Sequence, residues 1–393
     1  MRFCSLISGI AAKMAFGDRP KIMLLNFLSK TNPDKLKGVA ILRLDFNSEG
    51  DWRLKRSLPT LKFLQKHAAK IVILSHKGRP TPSLLPLKEN AKFSLKKDAN
   101  KLSKFLNYPV NFINCSRISE AGNEIRNSKE NSVFVLENVR FLEGEAENNL
   151  SLSEHLASLG DYFVNDAFAV SHRANASVVG ITKFLPSYAG FEMEEELKNL
   201  SHIMEKPAHP FVMVFGGGKA TDKLPIILNF RNKADFFLLG GALANTMLYL
   251  KGEKMGNSLI EKEIDGALPN LLKMKNVVLP FDFRKKGKAI LDIGPKTEKL
   301  FSSYIKKAKT IVWNGPLGAF EKKGFEKGTK AIIKAIASSR AFSLVGGGET
   351  IVLLEKMKLE KKISFISTGG GAMLEFLSGC KLPGLKALEK SKK

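Results

Sequence analysis

The sequence predicts an α/β protein built in two halves, each a parallel sheet covered by helices on both faces. Three observations predict it. First, short apolar runs alternate with helix-length segments along the whole chain, the pattern of strands joined by crossover helices. Second, five runs in the second half end in glycine clusters: Phe211–Phe215, Phe236–Leu239, 310–313, 342–345 and 363–367. Third, four runs in the first half, 39–44, 71–74, Val133–Leu136 and 162–164, end instead in charged or amide residues. A short continuous apolar run is a strand buried on both faces.

The glycine ends point to a nucleotide. They are Gly216-Gly217-Gly218-Lys219, Gly240-Gly241-Ala242, Asn314-Gly315-Pro316-Leu317-Gly318, Gly346-Gly347-Gly348-Glu349-Thr350 and Thr368-Gly369-Gly370-Gly371. Glycine lets the backbone approach a ligand, and the helix that follows aims its first N–H groups at the same place. Five such ends converge on one edge of a parallel sheet, where open α/β folds bind ligands. The charged ends point to a small, multiply charged anion. They carry Asp45 and Asn47, then His76 and Arg79, then Arg140, then His172 and Arg173. Arginine's planar fork suits phosphate and carboxylate.

Length and composition bound the rest. A chain of 393 residues exceeds one ordinary core and predicts two domains. Hydrophobic content of 44% with 26% charged residues is that of a globular protein, and no apolar run is long enough to span a membrane. Cys4, Cys115 and Cys380 are far apart and form no CxxC pair, which argues against zinc and disulfides and fits a reducing cytosol. The net charge of +25 reads mostly as a lysine-rich solvated surface. No aromatic-interleaved basic stripe supports a nucleic-acid module. His67, His155, His202 and His209 show no ligand spacing and read as surface or packing residues.

Residues 1–22 are basic, with one acidic residue, Asp18, and a mild apolar stretch over 3–12. They read as a targeting peptide or as a weakly ordered or non-native extension. The absence of a convincing small-residue cleavage site favours the extension, with Met23 as an alternative start. Helices are expected over 61–67, 100–106, 153–159, 222–229 and 328–338, with Pro59 near the start of the first. Met193, Leu197, Leu200, Ile203 and Met204 recur at helical spacing, so 192–206 reads as a helix linking the halves.

Nine blocks together resemble the phosphoglycerate kinase family, in the family's order: Arg43-Leu44-Asp45-Phe46-Asn47, 75–80, 137–141, 165–177, 216–223, 291–297, 313–320, 346–350 and 367–372. The resemblance covers about residues 38–388. It implies two Rossmann-like lobes joined by a hinge helix, with a cleft between them. The lobes would be 23–191 for phosphoglycerate and 207–378 for nucleotide, joined by 192–206, with 379–393 returning to the first lobe. It implies reversible phosphoryl transfer from 1,3-bisphosphoglycerate to Mg-ADP, giving 3-phosphoglycerate and ATP, with Mg²⁺ as the metal. The protein would be a cytoplasmic monomer with no specific nucleic-acid or membrane partner.

By the same resemblance, Asp45 and Asn47 bind the glycerate, and His76, Arg79, Arg140 and Arg173 grip the phosphate that stays. Arg53 and Lys219 are the catalytic pair at the transferring group. Gly217, Gly218, Lys223, Gly241, Asn314, Gly347, Gly348, Glu349 and Thr350 bind the nucleotide, Glu321 binds its ribose, and Glu349 binds the metal. The sequence departs from the family pattern at Glu349, usually aspartate, at Asn175, usually histidine, at Ala242 and Ile290, usually glycine, and in a short link from Asn47 to Arg53. Two rival readings are an acyl-phosphate kinase for another carboxylate and a catalytically idle scaffold for a polyanion.

Overall fold

The computed structural model describes residues 25–48, 50–82, 88–114, 118–261 and 268–391. The expected extension over 1–22 and Cys4 and Cys115 lie outside them. The strands are β1 (Val39–Arg43), β2 (Lys70–Leu74), β3 (Asn111–Ile113), β4 (Val133–Leu136), β5 (Tyr162–Asn165), β6 (Ser187–Ala189), β7 (Phe211–Phe215), β8 (Phe236–Leu239), β9 (Val277–Val278), β10 (Phe283–Lys286), β11 (Ala289–Ile293), β12 (Thr310–Asn314), β13 (Phe342–Gly346) and β14 (Phe365–Ile366). The α-helices are α1 (Trp52–His67), α2 (Lys96–Leu106), α3 (Ile118–Asn127), α4 (Leu150–Ala157), α5 (Phe191–Glu205), α6 (Leu224–Phe230), α7 (Gly241–Leu250), α8 (Leu268–Leu271), α9 (Pro295–Lys307), α10 (Lys327–Ala337), α11 (Gly348–Lys356), α12 (Gly371–Leu377) and α13 (Pro383–Lys390).

Two six-stranded parallel sheets result, in the orders β3-β4-β2-β1-β5-β6 and β14-β13-β12-β7-β8-β9. Strand side chains alternate between two apolar layers, as a period of two requires. In β1, Ala40 and Leu42 join one cluster and Ile41 the other. In β7, Phe211, Met213 and Phe215 face one layer and Val212 and Val214 the other. Each sheet reverses its winding once, between β1 and β5 and between β7 and β12. Ligands of open α/β sheets bind in the crevice at that point.

The five glycine-ended runs are five adjacent strands of the second sheet, although the last is only the two residues of β14. The linking helix is α5, whose Met193, Leu197, Leu200 and Ile203 are buried in one cluster with β7. The first helix begins at Trp52 rather than near Pro59, so Pro59 lies inside it. Pro59 and Lys55, whose carbonyl loses its partner, both sit on the exposed face, where water replaces the missing bond. The hairpin of β10 and β11 is antiparallel and stands apart from both sheets. The last helix, α13, packs back on the first lobe: Gly384 N–H donates to Ser171 O (2.8 Å), and Ser391 Oγ lies 3.4 Å from Ser187 O.

Candidate active site

At the first sheet's crevice, Asp45 stands two residues beyond the end of β1. Its carboxylate accepts the N–H of Asn47 (2.9 Å) and stands 2.5 Å from Arg53 NH1 at the start of α1. Arg53 NH1 also donates to Asn47 O (2.9 Å), so the short link after Asn47 still brings Arg53 to Asp45. Asn47 Oδ1 accepts Gly78 N–H (2.8 Å), which ties the β1 and β2 loops together. His76 is buried, and Arg43 NH2 lies 3.4 Å from its Nδ1. Burial holds the His76 pKa well below its ordinary value, reinforced by Arg43, Arg140, Arg173 and Arg53, so the ring is neutral.

Arg140, from the turn after β4, donates to Gly78 O. Its pKa falls to about 10 through burial and the repulsion of Arg173 and Arg43, with Arg79 adding a smaller push. Arg173 is lowered by burial and by Arg79. Like charges thus crowd one crevice, and among the described residues no ion pair neutralises Arg79, Arg140 or Arg173. Such a crevice favours an anion with more than one charge.

Sequence reasoning gave Arg43 no role, although it stood at the end of an apolar run beside Asp45. It is fully buried; its Nε donates to Ser177 Oγ (3.0 Å), and Ser177 Oγ donates to Glu145 Oε1 (2.6 Å). His172 was likewise unassigned. Its ring lies 3.6 Å from where a Cβ on Gly371 would stand, at the boundary between the lobes, and burial and Arg173 lower its pKa to about 4.

The second sheet's crevice holds a cavity of about 200 Å³. Gly217, Gly218, Lys219 and Lys223 line it from the β7 side, Asn314 from β12, and Gly347, Gly348, Glu349 and Thr350 from the turn into α11. Gly315, part of a glycine-ended run but given no role of its own, and Asp222 line it too. The first N–H groups of α11 have no acceptor within the helix and point outward at its start. Thr350 Oγ1 is buried there without a hydrogen-bond partner. Lys223 is buried, and burial lowers its pKa against the pull of Asp222, Glu349 and Glu261. The cavity therefore combines backbone donors, two lysines, an unused hydroxyl and two carboxylates. That set fits a nucleotide phosphate chain carrying a Mg²⁺ ion, which needs only one or two protein carboxylates besides phosphate oxygens.

Gly241 is outside the cavity lining. Its N–H donates to Leu317 O (3.2 Å), and at φ +58° a Cβ there would meet Gly217 O at 2.7 Å. It is the close-packed neighbour of the Gly217 loop. Glu321 is exposed and also lies outside the lining, in the segment after β12. Leu259 is 61% exposed and 3.8 Å from the Cβ position of Gly218, an apolar surface at the cavity's edge.

The lobes meet at Arg53, whose NH2 is 3.8 Å from the Cβ position of Gly370 in the turn before α12. Behind it, α5 joins the halves. Asp166 Oδ1, from the end of β5, accepts the N–H groups of Glu192 (2.9 Å) and Met193 (3.2 Å) at the start of α5. Burial raises the Asp166 pKa to about 6.

Two parallel-sheet lobes, one with an arginine crevice and one with a glycine-walled phosphate cavity, define a two-lobed α/β phosphotransferase. A family model described as phosphoglycerate kinase matches residues 35–380, and the chain belongs to the phosphoglycerate kinase family. It is 41% identical over 382 residues to the phosphoglycerate kinase of Borrelia garinii subsp. bavariensis, covering 89% of this chain and 96% of that one. The Pseudothermotoga lettingae enzyme is 41% identical over 386 residues, covering 90% and 96%. Among solved structures, the Coxiella burnetii phosphoglycerate kinase aligns with a TM-score of 0.78 at 35% identity, over 94% of this chain and 100% of that one. The Pyrococcus horikoshii enzyme gives 0.80 at 31%, over 93% and 98%.

Proposed function

We propose that this protein transfers the acyl phosphate of 1,3-bisphosphoglycerate to Mg-ADP, reversibly, giving 3-phosphoglycerate and ATP. The observation that carries the reading is the division of the site: crowded arginines at one sheet's switch point and a phosphate cavity at the other's. In this reading 23–191 takes phosphoglycerate and 207–378 takes nucleotide, 192–206 links them, and 379–393 completes the first lobe. Asp45 and Asn47 bind the glycerate; Arg79, Arg140 and Arg173 hold the phosphate that stays. Neutral His76 contributes a hydrogen bond rather than charge, and Arg43, braced by Ser177 and Glu145, adds its charge from behind.

In the forward direction the bond from phosphorus to the acyl oxygen breaks and a bond to the terminal ADP oxygen forms. The electron pair leaves on the 3-phosphoglycerate carboxylate. The attacking oxygen is already anionic, so no general base is needed. The protein's work is positioning and charge neutralisation. Arg53 supplies charge from the first lobe and Lys219 from the second. Lys223, Asn314, Gly217, Gly218 and the N–H groups of Gly347, Gly348, Glu349 and Thr350 hold the phosphate chain. Gly241 supports the Gly217 loop, and Glu321, on the same lobe as the nucleotide, binds the ribose.

Glu349 would hold Mg²⁺, with Asp222 nearby, and the ion would supply positive charge to the phosphate chain. Closure brings the halves together and excludes water from the acyl phosphate. Membership of the family supports a cytoplasmic monomer as the working form. Separately, no described helix is long and apolar enough to cross a membrane. A coupled assay with 3-phosphoglycerate and Mg-ATP tests the reading. Turnover is expected; its absence, or a preference for another carboxylate, overturns it.

A further inference from the structure

The hinge helix α5 carries two carboxylates one turn apart, and each is held from a different lobe. Glu196 is fully buried and accepts hydrogen bonds from Ser367 Oγ (2.8 Å), Thr368 Oγ1 (2.7 Å) and the Thr368 N–H, all just beyond β14 in the second lobe. Glu192 is buried too, and its Oε2 stands 2.9 Å from Arg56 Nε on α1 of the first lobe. The Arg56 guanidinium also lies over the Phe365 ring of β14, 5.2 Å from its centroid. Thr60 Oγ1, one turn further along α1, accepts the Phe191 N–H at 3.0 Å.

Arg53 and Arg56 are three residues apart on α1, hence on neighbouring turns of one helix. The contacts form a closed ring. It runs from Arg53 along α1 to Arg56, across to Glu192, and along α5 to Glu196. From there it passes to Thr368 and on to Gly370, which faces Arg53 again. Ring members thus span both lobes and the hinge, and the ring closes on Arg53, which faces the turn before α12 of the second lobe.

The pair is a poor device for stability. Glu192 Oε1, Arg56 Nε and Arg56 NH2 are buried atoms without a well-aligned hydrogen bond, so the 2.9 Å contact is an ion pair only. Glu192 is 7% exposed while Arg56 keeps 39% of its side chain in water, so the pair is desolvated on one side only. Such a pair with unsatisfied atoms gains little net energy, and the attested use of a buried ionic group is to fix register. Arg56 is not among the residues that line the second-lobe cavity.

We propose that Arg56 and Glu192 are a positioning pair that locks α1 onto the hinge helix, in the register that sets Arg53 against the 369–371 turn when the lobes close. The role of Arg53 is that of the preceding subsection, and the pair acts through it without touching substrate.

The test uses the full chain and four variants: Arg56→Met, Glu192→Gln, their double, and Arg56→Lys. Lysine keeps a charge within reach of Glu192. Arg56→Met and Glu192→Gln should each lower kcat about tenfold or more, because small misplacements of a transfer group are costly. KM for 3-phosphoglycerate and for Mg-ATP should stay within about threefold, since each ligand's own crevice is intact. The double should be no worse than the worse single, and Arg56→Lys should recover to within about threefold of the starting kcat.

Hydrogen exchange across 367–371 is the second readout, and should be faster in Arg56→Met and Glu192→Gln than in the unaltered protein and Arg56→Lys. Unchanged kcat in both singles, additive losses in the double, or equal loss in Arg56→Lys overturns the proposal. If Arg56→Met fails to fold, the near-isosteric Glu192→Gln decides by the same measures. If the unaltered protein shows no turnover, the proposed function fails. The exchange readout then decides the pair alone: faster exchange supports it and unchanged exchange overturns it.

Discussion

Replacing Gly241 by alanine tests whether backbone packing beneath the phosphate cavity sets its shape. The residue has φ +58°, and a Cβ there would lie 2.7 Å from Gly217 O and 2.8 Å from Gly217 N. Two costs follow. The left-handed backbone costs a non-glycine residue about 1–2 kcal/mol. The Gly217 loop must also withdraw by about 0.7 Å to restore van der Waals separation. At about 100-fold per Å of misplacement, that shift lowers kcat/KM for nucleotide about 20-fold.

Gly252 is the control, with φ +89° but nothing within 4 Å of its Cβ position. Gly252→Ala carries the backbone cost alone, so its Tm should fall by about 2–8 °C with turnover unchanged. Gly241→Ala should lose more Tm and show the nucleotide defect, with KM for 3-phosphoglycerate unaltered. Differential scanning fluorimetry and initial rates at varied Mg-ATP measure both. If Gly241→Ala matches Gly252→Ala in Tm and keeps kcat/KM within twofold, the close approach does not shape the cavity.

Arg53→Ala should lower kcat at least about 100-fold with a smaller change in either KM, because its charge is needed at the transferring group; a pure KM effect would reassign it to ground-state binding. Arg140→Ala should weaken 3-phosphoglycerate binding about tenfold or more while ADP binding stays within about twofold, and calorimetry giving equal losses would contradict a divided site. Asp292 is buried with its pKa raised to about 7 by burial, against hydrogen bonds from Gly328 N–H (2.7 Å) and Ile293 N–H (2.9 Å). A carboxyl that holds its proton more tightly when folded stabilises most below the unfolded pKa near 4 and loses that contribution as pH rises through 7. Asp292→Asn should therefore flatten urea midpoints between pH 5 and pH 8 relative to the unaltered protein; parallel pH profiles would exclude Asp292 as a source of the dependence.

The parts of the fold that sequence exposes are those where local chemistry and tertiary position agree. Strands β7, β8 and β12 are continuous apolar runs buried on both faces, and glycines mark where each ends at the crevice. The edge strands β3, β6 and β9 are two or three residues long, too short for periodicity to register. Strand β10, with Arg284, Lys285 and Lys286, has no buried face to pattern it. Arg43 reads as the end of a strand, and only the fold shows it buried behind His76. Arg79, Arg140 and Arg173 were legible because each lies in the turn that follows an apolar strand. Arg56 and Glu192 had no such marker: their partnership joins residues far apart in the chain, and each alone reads as a charged residue on a helix.

The return of α13 to the first lobe has a consequence for biosynthesis. Leu385 and Leu388 are buried in a cluster shared with Phe27 and Phe168 of the first half of the chain. A ribosome that has just emitted β6 has released every strand of the first sheet but not the helix that covers its flank. At about 5–20 residues per second, some 200 further residues delay that helix by about 10–40 s. During that interval the first lobe exposes an apolar flank, the kind of surface chaperones bind. The first half therefore completes its apolar packing only after residues 383–390 have been made.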